Sequence, residues 1–340
     1  MNLAALLRRS VAFCLALALA SCATPRALEQ DEHMSLDPVM GDWEGHRVTS
    51  SGVVVPLCAQ VIALGDGAYR AVLLDEFGKP SKALAPLDFR LEGEVLVFSG
   101  VPAMNARLSD GWIDGSFPGD EAVSFKLRRI SRLSPTLGAK APPGATVLFD
   151  GTSLDGWARV EGPGGPAGWN LVEGEAMEVV GGSGSIMTKK TFKDVHLHLE
   201  FRTPFMPASR GQARGNSGVY LQGRYEVQVL DSYGLTGEDN ECGGIYKVAR
   251  PLVNMCAPPG QWQTYDITFQ APRFDASGSK IRQARATVLH NGVPIHQYIT
   301  LPGPTGGALD TNEQMPGPLY LQDHGNPVQY RNIWLTETTQ

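Results

Sequence analysis

Two side chains that can exchange protons, Glu226 and His324, each lie in a strand-like run of alternating apolar and polar residues. Because side chains alternate faces along a strand, Glu226 shares a face with Gln228 in residues 225–231. Near the C-terminus, His324 shares a face with Gln322. Histidine titrates near neutral pH, and glutamate does so when burial raises its pKa. Either residue could act as a general base, and the neighbouring amides could bind hydroxyl groups.

A second polar face comes from an earlier run, residues 195–202 (VHLHLEFR). Alternation places four chargeable side chains opposite four apolar ones, namely His196, His198, Glu200 and Arg202. A closing run, residues 328–335, adds Arg331 and Asn332. Taken singly, each face could be ordinary solvated surface. Together they hold planar hydrogen-bonding groups of the kind that bind sugar hydroxyls, which favours a shared groove.

The elements that would position these side chains are strands. Runs with one apolar and one polar face form a β-sandwich when two sheets pack by their apolar faces. Asp66-Gly67 and Asn291-Gly292, each between alternating runs, predict tight hairpins. We therefore predict an all-β protein, with a jelly-roll β-sandwich preceded by a small antiparallel β domain.

Composition shifts predict the order of the segments. We expect a signal peptide over residues 1–21 and a polar tether over residues 22–40. A small antiparallel β accessory domain follows over residues 41–133, and a Pro/Gly-rich linker over residues 134–145 (SPTLGAKAPPGA). The sandwich domain then occupies residues 146–336.

The N-terminus has a basic start, an apolar run too short to span a bilayer, and Leu19-Ala20-Ser21-Cys22. This ending resembles the lipobox of bacterial lipoproteins, which implies cleavage before Cys22 and its lipidation. Ala23 follows the cysteine rather than Asp, which implies the outer membrane. We expect an exported, lipid-anchored protein on the periplasmic face of the outer membrane or at the cell surface. Ordinary secretion with an incidental cysteine is the alternative.

The net charge and the cysteines indicate which partners and which stabilising sites the protein can have. The formal charge is −6 and the pI about 5.7, so no basic footprint for nucleic acid exists. Of the five cysteines, Cys242 and Cys256 flank one loop and are predicted to form a disulfide. Cys58 would then be unpaired. No CxxC or HExxH run occurs, which argues against a structural zinc site.

The C-terminal part of the sequence resembles the 3-keto-disaccharide hydrolase domain family, whose fold is similar to the concanavalin A-like lectin/glucanase sandwich. The resemblance covers about residues 146–336 and rests on several separate motifs in family order. They are residues 147–157 (VLFDGTSLDGW), 216–220 (NSGVY), 225–231 (YEVQVLD), 242–246 (CGGIY), 260–266 (GQWQTYD), 321–325 (LQDHG) and 330–334 (YRNIW).

The resemblance implies action on sugars already oxidised at C3. A ketone there acidifies the C2 proton, and its removal gives an enolate that can expel the group at C1, after which water adds. This chemistry needs a base near C2 and a positive or hydrogen-donating group near the C3 oxygen. A divalent metal could fill the second role. No organic cofactor is expected.

The resemblance also implies roles for individual residues. Glu226 or His324 would be the base. Arg331, Gln228 and Gln322 would orient the sugar or steady the enolate. Asn216, at a turn before a strand, would contact hydroxyls. Glu200 and Arg202 would form a supporting ion pair on the same face, and Asp231 would form a turn or, less directly, contact the site.

Three alternatives remain open. The first is a non-catalytic, lectin-like carbohydrate-binding module, because fold alone does not decide function. The second is a retaining glycosidase, which needs two carboxylates about 5–5.5 Å apart. Glu226 is followed on its face by Gln228 and not by an acid, which argues against that chemistry. The third is a purely structural surface lipoprotein.

Overall fold

The computed structural model describes residues 36–79, 86–101, 104–117, 123–160 and 165–338. The expected signal peptide and the lipidation site Cys22 lie outside the described residues. No helix in the described part of the chain is both long enough and apolar enough to span a membrane.

The first eight strands form a closed antiparallel barrel, in which each strand pairs with the next and β1 also pairs with β8. Its interior is filled by apolar side chains that include Trp43, Phe89 and Phe125. The strands are β1 (Gly41–Val48), β2 (Val54–Gly65), β3 (Ala68–Leu74), β4 (Leu87–Glu92), β5 (Val95–Phe98), β6 (Asn105–Ser109), β7 (Trp112–Ser116) and β8 (Ser124–Ile130).

The remaining elements form the C-terminal domain. They are β9 (Thr146–Phe149), β10 (Trp157–Arg159), β11 (Asn170–Val172), β12 (Ala176–Glu178), β13 (Ile186–Thr188), β14 (Val195–Arg202), a 3₁₀ turn η1 (Gly211–Ala213), β15 (Ser217–Leu221), β16 (Tyr225–Val229), β17 (Gln263–Gln270), β18 (Arg273–Phe274), β19 (Lys280–Arg282), β20 (Ala284–His290), β21 (Val293–Leu301), β22 (Tyr320–Leu321) and β23 (Gln329–Glu337).

Two sheets of this domain make the sandwich. The smaller has the order β10-β13-β22-β15-β16, and the larger has the order β11-β12-β23-β14-β17-β20-β21 with β9 added beside β23. The apolar faces pack together: the rings of Tyr225 and Phe269 lie 5.4 Å apart across the core. The Tyr265 hydroxyl donates to the Gln228 carbonyl at 2.7 Å, which joins the two sheets. The predicted all-β fold, with a small antiparallel domain before a sandwich, is confirmed.

The predicted hairpins form as two-residue turns. Asp66 and Gly67 connect β2 to β3, with φ of 52° and 68°. Asn291 and Gly292 connect β20 to β21, with φ of 50° and 76°. A turn with positive φ at both central residues matches the twist of the flanking strands and favours Asp or Asn followed by Gly.

The proline-rich segment between the two domains lies on the outer face of the larger sheet. The Gly138 amide donates to Glu200 Oε1 at 2.6 Å, and the Thr136 hydroxyl donates to Asp266 Oδ2 at 2.7 Å. The Ala139 carbonyl accepts from the Trp334 indole at 3.1 Å. Residues 134–139 are therefore held on the sandwich by buried polar side chains.

The barrel and the sandwich belong to one compact unit, Glu32–Gln340, and contact each other through polar groups. Asp42 of β1 is buried and accepts a hydrogen bond from the Tyr233 hydroxyl at 2.8 Å. Its other oxygen pairs with Arg132 at 2.8 Å. Because Arg132 neutralises this buried carboxylate and the Tyr233 hydroxyl donates to it, the contact fixes the barrel on the sandwich.

The predicted Cys242–Cys256 disulfide is not present: both residues, and Cys58, are buried free thiols. The two thiols do lie side by side, because Cys242 and Cys256 are hydrogen-bonded to each other. Each has a further partner, the Tyr265 hydroxyl for Cys242 at 3.3 Å and the Leu230 carbonyl for Cys256 at 3.4 Å. Loop length predicted their proximity, but the thiols are accommodated as hydrogen-bonding groups without a covalent bond.

Candidate functional site

A cavity of about 310 Å³ lies on the outer face of the smaller sheet. It is lined mostly by planar polar side chains and two glycines: Gln212, Asn216, Tyr220, Glu226, Gln228, Tyr246, Gly306, Gly307, Gln322 and His324. Five of these residues were predicted from the sequence as site residues, namely Asn216, Glu226, Gln228, Gln322 and His324. The structure brings all five together.

Strand alternation positions the centre of this cavity. In β16 the side chain of Tyr225 packs in the core, so Glu226 and Gln228 point away from it. The antiparallel register with β15 places Tyr220 opposite Glu226 and Gly218 opposite Gln228. A Cβ on Gly218 would lie 2.3 Å from Glu226 Oε1. The glycine therefore provides the space that the carboxyl group occupies.

Glu226 has an unusual protonation equilibrium for a carboxyl group. It is 2% exposed, and burial raises its pKa to about 8, against the opposing effect of a hydrogen bond with Tyr220. Burial and the charge of Glu226 also raise the pKa of Tyr220. A carboxylate with so high a pKa is a stronger base than ordinary glutamate, and it changes charge close to neutral pH.

The hydroxyl of Tyr220 connects three parts of the cavity. Its single proton is shared between the Gly306 carbonyl, at 2.9 Å, and the Glu226 carboxyl group, and its oxygen accepts from Gln322 Nε2 at 3.2 Å. Gly307 has a φ of +79°, and a Cβ there would lie 2.5 Å from the Tyr220 hydroxyl. The backbone at Gly307 therefore packs against the tyrosine hydroxyl more closely than a residue with a Cβ atom would allow.

Three amides form a connected group at one side of the cavity. Asn216 Nδ2 donates to the carbonyl of Gln212 at 2.8 Å and to its Oε1 at 3.2 Å. Gln228 Nε2 donates to the same Oε1 at 3.2 Å. Asn216 Oδ1 is buried and has no hydrogen-bond partner among the described residues. A buried acceptor without a donor is costly, so this oxygen is suited to accept from a bound hydroxyl.

The remaining lining residues differ in exposure. His324 is exposed and follows the short strand β22, whereas Tyr246 is half-buried. Glu226 is the one carboxylate among the described lining residues. The cavity therefore combines a buried carboxyl group with a solvent-exposed imidazole.

Three residues predicted for the site lie elsewhere. Arg331, Glu200 and Arg202 are on the outer face of the larger sheet, because β14 and β23 both belong to that sheet. Arg331 pairs with Glu200 at 2.7 Å. Both arginines stack on Trp262, with centroid distances of 4.1 Å for Arg331 and 4.7 Å for Arg202. The assignment of these three residues to the sugar site is corrected: they stabilise the other sheet.

Asp231 is also absent from the cavity lining. It pairs with Arg214 at 2.6 Å, and both side chains are almost fully buried. Burial raises the pKa of Asp231, although the arginine opposes the shift. The prediction that it contacts the site is therefore wrong, while its place in the segment that follows β16 agrees with a structural role.

Sequence reasoning did not assign Gln212, Tyr220 and Tyr246 to the enzymatic site. Tyr220 could have been found, since it lies within the motif of residues 216–220 and alternation places it on the same face as Gly218. Gln212 lies in a single 3₁₀ turn, and Tyr246 in a loop, where no strand periodicity exists to indicate a face.

A larger cleft of about 670 Å³ lies between the barrel and the sandwich. Two of its charged side chains already have ion-pair partners: Arg70 pairs with Asp88, and Arg132 pairs with Asp42. No lining residue of this cleft carries a buried unpartnered polar atom in the described part of the chain. The smaller cavity is therefore the better candidate on chemical grounds, although not on size.

Among the described residues, no group of three or more His, Cys, Asp or Glu side chains is arranged to hold a metal ion. The donors nearest to such a role in the cavity are Glu226 and His324.

Comparisons with known proteins match the C-terminal part of the chain. The model of the 3-keto-alpha-glucoside-1,2-lyase-like domain matches residues 144–336. A crystal structure at 2.13 Å of a candidate glycosyl hydrolase from Parabacteroides distasonis ATCC 8503 is 40% identical, with a TM-score of 0.54, and the match covers 58% of this chain and 86% of that chain.

A second crystal structure from the same organism, at 1.70 Å and also of a candidate glycosyl hydrolase, is 20% identical with a TM-score of 0.42. Its match covers 58% of this chain and 94% of that chain. A comparison with curated proteins found no match.

Proposed function

The chain belongs to the family of the 3-keto-alpha-glucoside-1,2-lyase-like domain, and on that premise we propose that it cleaves 3-keto-glycosides in the cavity around Glu226. Family membership and the likeness to a candidate glycosyl hydrolase support action on carbohydrate. The finer proposal depends on one observation: a buried carboxyl group with a raised pKa faces a cavity lined by amides and hydroxyls.

The reaction proceeds by elimination. The C3 ketone acidifies the C2 proton, and Glu226 removes it, so that the electron pair of the C2–H bond forms an enolate. The enolate then forms the C1=C2 bond and breaks the C1–O bond, and the departing oxygen takes those electrons and a proton. When the enone is released at this stage, the net reaction is that of a lyase. When water adds across C1=C2, the net reaction is a hydrolysis.

Each lining residue has a place in this scheme. Glu226 must be ionised to accept the proton, and its raised pKa makes it a stronger base once it is ionised. The Gln322 amide, held by Tyr220, donates towards the enolate oxygen. Asn216 Oδ1 accepts from a sugar hydroxyl, and the departing oxygen, which leaves at the solvent side beside His324, takes its proton from water.

This scheme replaces the role that Arg331 was expected to play. Because Arg331 lies on the larger sheet, amide N–H groups rather than a guanidinium face the substrate. The lining also argues against a retaining glycosidase, which needs two carboxylates about 5–5.5 Å apart. Among the described lining residues only Glu226 is a carboxylate.

The test uses purified protein with a 3-keto-glucoside and with its unoxidised parent, each with and without a chelator. We expect turnover of the keto form alone, with an enone product detected by ultraviolet absorbance. Deuterium at C2 should slow the reaction. The Glu226→Gln variant should lose about a thousandfold in kcat.

Glu238→Gln is the matched control, because Glu238 is an exposed carboxylate on a neighbouring loop. It should behave as the wild type. Turnover of the parent glycoside alone would redirect the assignment to ordinary glycoside hydrolysis. Tight binding of sugar without any turnover would instead identify a lectin-like binding protein.

A further inference from the structure

We propose, building on the proposed function, that the N-terminal barrel is a working part of the sugar site. The end of the barrel that carries the β2–β3 turn holds residues 207–214 in place. Arg210 and Arg214 in this segment bind the barrel and thereby act as positioning residues for Gln212. The family domain begins at residue 144, and the barrel lies outside that match. Its backbone nevertheless supplies the partners that hold one wall of the cavity.

The first anchor is Arg210. Its Nη2 donates to the barrel carbonyl of Leu64 at 2.7 Å. Its Nη1 donates to the carbonyls of Pro207 and Ser209 at 2.5 and 2.8 Å. One guanidinium therefore folds the segment and ties it to the barrel. Its planar array of five donors suits this use better than a lysine would.

The second anchor is Arg214, on the other side of the 3₁₀ turn. Its Nη1 lies 3.4 Å from the barrel carbonyl of Ala63, and its Nε pairs with Asp231 at 2.6 Å. Backbone also approaches backbone closely here, since a Cβ on Gly65 would lie 3.5 Å from Ala208 Cα. The turn is thus held at both ends against consecutive barrel carbonyls.

Between the two anchors the turn presents Gln212. Its Oε1 accepts from Asn216 and Gln228, its carbonyl accepts from Asn216, and its Nε2 donates to the Asn240 carbonyl at 2.7 Å. These bonds fix the Asn216 amide so that its nitrogen is used internally and its oxygen is left for a ligand. Displacing Gln212 would therefore reorient two substrate-binding amides.

The test compares full-length variants. Arg210 is exposed, so Arg210→Ala should leave the thermal midpoint nearly unchanged. We expect KM for the 3-keto-glucoside to rise about fivefold with kcat within about twofold, because the amides bind the sugar and do not transfer the proton. Arg210→Lys should recover part of the loss. Arg90→Ala is the matched control, since exposed Arg90 donates to the Asp66 carbonyl of the same turn without contacting residues 207–214.

A double-mutant cycle separates positioning from a general structural effect. If Arg210 acts through Gln212, then Arg210→Ala should raise KM no further in a Gln212→Ala background. Additive losses would overturn the proposal, as would a wild-type KM in Arg210→Ala.

Amide hydrogen exchange provides a readout that does not depend on turnover. Exchange over residues 207–216 should accelerate in Arg210→Ala and stay at the wild-type rate in Arg90→Ala. If wild-type protein cleaves no 3-keto-glycoside, the proposed function fails, and exchange alone decides whether the barrel holds the turn. Unchanged exchange in Arg210→Ala would overturn the positioning role.

Discussion

Tyr220 and Glu226 face each other across the β15–β16 ladder, and the tyrosine hydroxyl is a hydrogen-bond partner of the carboxyl group. Burial raises the pKa of the carboxyl group and this bond lowers it. The balance between the two effects sets the pH range in which Glu226 can accept a proton.

The pH dependence of cleavage should follow this carboxyl group. Because the pKa of Glu226 is about 8, most of the protein holds it protonated at pH 6. The base must be ionised, so kcat/KM should rise with pH and level off above about pH 8. A pH–rate profile with 3-keto-glucoside measures this. A profile already flat at pH 6 would contradict Glu226 as the base.

Tyr220→Phe should move that profile to higher pH. The phenol stabilises the ionised carboxylate, and its removal raises the pKa of Glu226 further. Activity at pH 7 should fall, with partial recovery at pH 9. Tyr298→Phe serves as a control, because Tyr298 is exposed and lies outside the cavity. An unshifted profile in Tyr220→Phe would show that the bond does not set the pKa.

Gly218→Ala should displace the Glu226 carboxyl group. The new Cβ would lie 2.3 Å from Oε1 and 3.0 Å from the Tyr220 ring. Misplacement of a reacting group by about 1 Å costs roughly a hundredfold in rate. We expect kcat to fall by about that factor in a protein that still folds, as checked by circular dichroism. Gly303→Ala should have no effect, because nothing lies within 4 Å of its added Cβ.

Glu200→Gln should destabilise the protein without changing the cavity. Burial alone would raise the pKa of Glu200, but bonds from His198, Asn332, Arg331 and Gly138 outweigh it and hold the pKa at about 2. Since the folded pKa is below the ordinary 4.5, this stabilisation is present above pH 4.5 and is lost as pH falls towards 2.

Urea unfolding at pH 7, 5 and 3 tests this prediction. At pH 7 the variant should lose about 3 kcal/mol of unfolding free energy, and the difference from wild type should shrink at pH 3. Glu94→Gln, which breaks an exposed ion pair with Arg107, should cost less than about 1 kcal/mol. Equal losses in the two variants would contradict the buried role of Glu200.

Export and lipid anchoring remain proposals from the sequence. If Cys22 is acylated, cells grown with a labelled fatty acid should yield labelled protein in the membrane fraction. Cys22→Ser should abolish the label and release the protein from that fraction. Labelling that persists in Cys22→Ser would place the anchor elsewhere.

Strand periodicity was enough to predict part of the site. Alternation placed Glu226 beside Gln228, and Gln322 beside His324, and the structure brings these four to one cavity. Periodicity indicates the face of a strand but not the sheet that the strand joins. Arg331 was therefore assigned to the wrong surface, because β23 completes the larger sheet.

Irregular segments and side-chain chemistry set the other limits. The position of Gln212 depends on a short 3₁₀ turn and on the hydrogen bond from Arg210 in that segment to the barrel. No local sequence pattern predicts either of them. The closeness of Cys242 and Cys256 could be predicted from their shared loop. Their state as thiols could not, because it depends on the buried partners that surround each sulfur.

The position of residues 134–139 on the larger sheet affects where the protein can be cut. A fragment that starts with the family domain at residue 144 would lose the Gly138 amide and the Thr136 hydroxyl, leaving Glu200 and Asp266 each short of a donor. A fragment cloned to the bounds of the family match would therefore have a lower free energy of unfolding. A fragment that keeps these hydrogen bonds begins no later than Ser134.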